Sequence, residues 1–74
     1  MSKAIFKEEL YGNITIKACV WYTEQGWAGY GLVSNDMGDS VEKKIVYPMQ
    51  DFFLSEQDAG EAVWEELKKC VRSR

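Results

Sequence analysis

The chain holds few residues that could do covalent or metal chemistry. It has no histidine, and its two cysteines, Cys19 and Cys70, form no CxxC pair. The usual zinc frameworks are therefore not written into it. Nucleophilic catalysis has equally little to start from, since a thiol needs an adjacent base or a positive setting to become reactive. Cys19 falls in an alternating apolar run and Cys70 on a helical apolar stripe, positions that suit small buried hydrophobes. A disulfide between them is not expected in a reducing compartment. Asn35-Asp36-Met37-Gly38-Asp39 carries the oxygen atoms that calcium takes, without the spacing or the bidentate glutamate of an EF-hand. It reads as a solvated hairpin loop. Lys43 and Lys44 suit either an anion contact or a charged edge strand that resists aggregation. No catalytic residue, metal site or cofactor is assigned, and the chain is expected not to be an enzyme.

What the sequence does offer is aromatic. Three Trp, four Tyr and three Phe in 74 residues are a heavy load for so small a core. Trp21 and Tyr30, with Lys17 nearby, would make a stacking platform of the kind used by single-strand binders. The net charge of −3 works against phosphate-driven binding, so nucleic acid is not the expected partner. Rings that pack an interface are the preferred reading.

These residues must be positioned by strands and one helix. Gly12-Asn13 lies between two alternating runs and predicts a two-residue hairpin turn of type II′. The flanking strands are expected over 3–11 and 14–22. In the second, Ile14, Ile16, Ala18, Val20 and Tyr22 alternate with Thr15, Lys17, Cys19 and Trp21. A tight loop at 23–26 leads to a third strand over 27–33, where Gly29 and Gly31 leave room for something bulky above them. Residues 34–40 read as a loop. A fourth strand over 41–47 ends at Pro48, with Glu42-Lys43-Lys44 placing charges in a row.

Ser55 is the expected N-cap of a C-terminal helix, with Asp58 completing an approximate capping box and Leu54 and Ala59 in hydrophobic-staple positions. Ala59, Ala62, Val63, Leu67, Cys70 and Val71 form an apolar stripe. Acids early (Glu56, Asp58, Glu61) and bases late (Lys68, Lys69, Arg72, Arg74) suit the macrodipole. Glu65 and Lys69 form an i,i+4 pair. Gly60 costs such a helix ~1 kcal/mol relative to alanine.

With register fixed by Gly12-Asn13, Glu8 faces Lys17. One sheet face is then expected to carry Ile5, Tyr11, Ile14, Ile16, Ala18 and Val20, together with Trp27, Gly29, Gly31 and Val33. This is the side for the helix. The other face is expected to present Phe6, Leu10, Cys19, Trp21, Tyr30 and Leu32 around the Glu8–Lys17 pair. One helix covers one face of a sheet. The second face is either an interaction surface or is hidden by strand twist, a bulge, or the folding over of residues 49–54. The interaction surface is taken to be Phe6, Leu10, Lys17, Trp21, Tyr30 and Leu32.

The run Tyr22-Thr23-Glu24-Gln25-Gly26-Trp27-Ala28-Gly29-Tyr30-Gly31-Leu32-Val33, followed by a strand and an alanine-containing helix, resembles the opening half of a ribonuclease H domain. In that family a strand ends at a catalytic aspartate in a Tyr-Thr-Asp-Gly-like turn. A Gly-Tyr-Gly-like strand and a helix with a metal-binding glutamate follow. The resemblance puts Glu24 near the aspartate position and Asp58 near the glutamate. Both acids are changed in length, and the later strand with a further aspartate is missing, so it implies a truncated, inactive relative such as an antitoxin-like or nucleic-acid-associated regulator.

Seventy-four residues suit one domain. Met1-Ser2-Lys3-Ala4-Ile5 passes straight into alternating residues, so no signal peptide is expected. No apolar run approaches the roughly 20 residues that span a bilayer. The expectation is one α+β domain of order β-β-β-β-α, cytoplasmic, acting without a cofactor as a homodimer or on a protein partner.

Overall fold

The register of the sheet starts at one glycine. Gly12 adopts φ +63°, and among the described residues only glycines have positive φ, so Asn13 sits at negative φ. That combination is the type II′ pattern expected from the pair. It sets Tyr11 opposite Ile14 and Glu8 opposite Lys17. In the computed structural model, which describes residues 4–72, four antiparallel strands form one sheet in the order β1-β2-β3-β4. They are β1 (Ala4–Tyr11), β2 (Ile14–Thr23), β3 (Gly26–Asp36) and β4 (Val41–Val46), followed by α1 (Glu56–Arg72). The fold is α+β, a meander with a C-terminal helix packed on it, as the alternation and capping signals imply. Lys3 and Arg74, placed by the sequence in the first strand and the helix, lie outside the described residues.

Two strand ends differ from expectation. β3 runs three residues beyond Val33, because Ser34, Asn35 and Asp36 pair with Lys43, Glu42 and Val41. The Asn13 side chain donates to the Asp36 carbonyl at 2.8 Å, and the Asp36 amide donates to the Asn13 carbonyl at 2.9 Å. Polar composition suggested a loop here, and backbone pairing overrode it. At the other end of β3, Trp27 exchanges backbone hydrogen bonds with Phe53 at 2.9 and 2.8 Å. The chain after β4 therefore loops out and returns to the same edge.

α1 lies across β2 and β3. Ile16, Ala18, Val20 and Val33 from the sheet, and Ala59, Val63 and Leu67 from the helix, are almost fully buried. Burying one such Leu or Val is worth about 1.5–3 kcal/mol. Close approach depends on the two strand glycines. A Cβ on Gly29 would stand 2.9 Å from Val63, and one on Gly31 would stand 2.7 Å from Leu67. Gly60 has the same meaning from the other side, since a Cβ there would run into the Phe6 ring. The propensity lost at Gly60 is thus exchanged for contact with the sheet.

Ser55 caps α1 as expected, its Oγ accepting from the Asp58 amide at 3.1 Å and its carbonyl from the Ala59 amide at 3.1 Å. The staple does not form, because Leu54 is 98% exposed. In place of the Glu65–Lys69 pair, Lys68 meets Glu65 at 4.0 Å and Lys69 meets Glu66 at 3.2 Å, one residue closer along the helix. Trp64, left out of the expected stripe, is buried.

Candidate interaction face

The sheet face away from α1 is built by strand parity. Glu8, Lys17, Leu32 and Ile45 make one row across the four strands. Ile5, Cys19 and Tyr30 make the next. Trp21 and Ala28 lie beyond them, and Leu10, Thr15, Ser34 and Lys43 lie on the opposite side. One end of the face is therefore apolar and aromatic and the other polar.

Phe6 is a correction. The sheet has a bulge in which Ile5 pairs with Cys19 and Lys7 with Ala18, so Phe6 is the extra residue. A bulge resets the alternation of the strand that carries it. Phe6 turns to the helix side against Gly60, and the Lys7 ammonium lies 4.8 Å from the Trp64 ring centroid on the same side. Ile5, expected under the helix, moves to the open face and is 59% exposed. Leu10, Lys17, Trp21, Tyr30 and Leu32 share the open face as expected.

Its geometry centres on two cross-strand contacts. The Trp21 and Tyr30 rings are 5.7 Å apart and tilted by 57°, a favourable aromatic arrangement. Lys17 Nζ stands 3.7 Å from Glu8 Oε2, with both side chains partly exposed. Such a pair contributes about 0–1 kcal/mol and serves mainly to fix register. The Tyr30 phenol is raised above its ordinary value, first through a side-chain hydrogen bond with Cys19, then through the Cys19 charge, burial and Tyr47. Cys19 is thus a buried thiol tied to the face.

Sequence reasoning missed β4's contribution. Ile45 is 51% exposed and lies in the Lys17–Leu32 row, and Tyr47 is 66% exposed beside Tyr30. Val41, Lys43, Ile45 and Tyr47 do alternate, which would have revealed them, but the charge row Glu42-Lys43-Lys44 hides that period. Residues 47–52 fold partly over the aromatic end, leaving a cleft of about 270 Å³ among Trp21, Ala28, Tyr47, Pro48 and Phe52. The folding-over weighed from the sequence is real but covers only this end. Leu10, at the other end, remains 70% exposed.

The positions carried by the ribonuclease H resemblance stand apart in kind. Glu24 is exposed in the two-residue turn between β2 and β3, held by Thr23 Oγ1 donating to the Gly26 carbonyl at 2.8 Å. Asp58 is exposed in the first turn of α1 and lines a groove of about 870 Å³ with Phe6, Trp64, Glu61 and Glu65. Among the described residues, no three His, Cys, Asp or Glu side chains gather as a metal site would require. Nor is any helix there long and apolar enough to cross a membrane. Searches of family models, curated proteins and solved structures return no match to this chain.

Proposed function

We propose that the chain is a small non-enzymatic interaction module that binds protein through its open sheet face, as a homodimer or with another protein, in the cytoplasm. The observation carrying this reading is the one-sided cover of the sheet. The helix buries the middle of one face, leaving Tyr11 and Tyr22 exposed at its ends, while the other face keeps Leu10, Ile45 and Tyr47 largely exposed around Trp21, Tyr30 and Leu32. Contiguous apolar patches on a protein surface are where interaction sites are commonly found. Tyr and Trp are also the residue types enriched at such surfaces. Concentration-dependent amide spectra test the choice of face. Shifts that grow with concentration, or on adding a protein partner, should fall on Lys17, Trp21, Tyr30 and Leu32. Shifts confined to the outer residues of α1, such as Glu61 and Glu65, would contradict it.

A second reading is a nucleic-acid-associated regulator of the truncated ribonuclease H-like kind. The meander followed by a helix, with Trp21 and Tyr30 beside Lys17, is what favours it. A salt-dependent gel shift with single-stranded oligonucleotides is its test, and no shift at low salt would remove it.

A further inference from the structure

We infer that the open face is completed by a second copy of this chain, stacked face to face about a two-fold axis parallel to the strands; this rests on the reading of that face as a protein-binding surface.

Two features point to a copy in particular. The first is size. Strands about 4.8 Å apart and rising about 3.3 Å per residue give this face, with strands of 8, 10, 11 and 6 residues, a projection of about 550 Å². Two such faces bury about 1,100 Å² in total, above the roughly 1,000 Å² that a specific interface should clear. The molecule's extents of 41 × 24 × 15 Å make its sheet faces its broadest surfaces.

The second is charge. Glu8 lies on edge strand β1 and Lys43 on edge strand β4, in neighbouring rows of the open face. A two-fold parallel to the strands keeps the rows and exchanges the edges, so β1 of one copy lies over β4 of the other. Lys43 then sits over Leu10 of the second copy, within a lysine's reach of its Glu8, and the contact occurs twice. Ile5 of the second copy comes over Tyr47, at the mouth of the apolar cleft. A two-fold perpendicular to the strands, centred on the apolar rows, carries Lys43 towards the Tyr47 end and away from Glu8 of the second copy. An isologous interface of this kind must be complementary to itself, and of the two arrangements the first brings Lys43 and Glu8 together. Aligned sheets facing each other about 10 Å apart are an established packing mode.

Light scattering on eluting species tests this with Lys43→Glu, Glu8→Lys, the two combined, an equimolar mixture of the single variants, and Trp21→Ala with Tyr30→Ala, each checked for native circular dichroism. The inference expects a wild-type dimer. Each single charge reversal should weaken it about tenfold or more by setting like charges together. Both the combined variant and the mixture should restore it. A wild type that stays monomeric at every concentration overturns the second copy, while a different protein on the same face would still satisfy the broader reading. A dimer indifferent to the charge reversals but lost in the aromatic variant overturns the two-fold arrangement alone. A dimer that survives every variant overturns the face itself.

Discussion

The two faces of this sheet come from the same three hairpins, yet they follow different rules. Beneath α1 the residues are small and close-fitting, with Gly29 and Gly31 opposite Val63 and Leu67 and with Gly60 against Phe6. On the open side the packing is looser, with a surface ion pair and exposed aliphatics beside the Trp21 and Tyr30 rings. The covered face is specified by volume, where a single methyl group changes the fit. The open face mixes buried Cys19 and Ala28 and half-buried rings with the exposed Leu10, Ile45 and Tyr47. On the proposed reading, the tightly packed side of the sheet holds the fold and the open side is left for binding.

Substitutions break or sharpen that contrast in graded steps. Leu67→Ala, at the centre of the covered face, should cost about 2–5 kcal/mol in chemical denaturation by leaving a cavity. Gly60→Ala comes next. In an open helix it would stabilise by ~1 kcal/mol, but here the added methyl meets the Phe6 ring and the expected result is a loss of about 1–3 kcal/mol. Gain in place of loss would mean that Phe6 does not rest on α1. Ile45→Ser on the open face should cost monomer stability no more than about 1 kcal/mol while weakening association. A cost similar to that of Leu67→Ala would erase the contrast.

The smallest effect is one of pH. The folded chain holds the Tyr30 phenol above its ordinary value of 10.0, first through Cys19. The folded state therefore binds that proton more tightly than the unfolded chain. This stabilisation is complete below about pH 10 and is lost as pH rises through the folded pKa. Tyr30→Phe should flatten the alkaline fall in unfolding free energy, and an unchanged profile would remove Tyr30 as its source.

Much of the covered face was legible because its signals are local. The Gly12-Asn13 turn, the alternation from Ile14 to Tyr22 and the Ser55 cap each name their own geometry. Phe6 was not legible, since Ile5 and Phe6 are both apolar and a period of two cannot say which of them faces in once a bulge intervenes. Asn35 and Asp36 carry loop chemistry but are held as strand by pairing across to β4 and to Asn13. Leu54 had the right spacing for a staple, yet the return of Phe53 to Trp27 fixes the chain just before it and leaves Leu54 outside. On the open face, Trp21, Tyr30 and Leu32 could be placed from alternation, while Ile45 and Tyr47 were masked by neighbouring charges. In each case the missing information was a contact between residues far apart in sequence.

Sedimentation equilibrium of the unaltered chain, from micromolar to millimolar concentration, bears most directly on the claim that the open face is an interface with a second copy. The mass should rise with concentration from one chain to two and then stop, because a two-fold contact closes on itself. A mass that stays at 8.5 kDa throughout would contradict it, as would one that keeps climbing past the dimer.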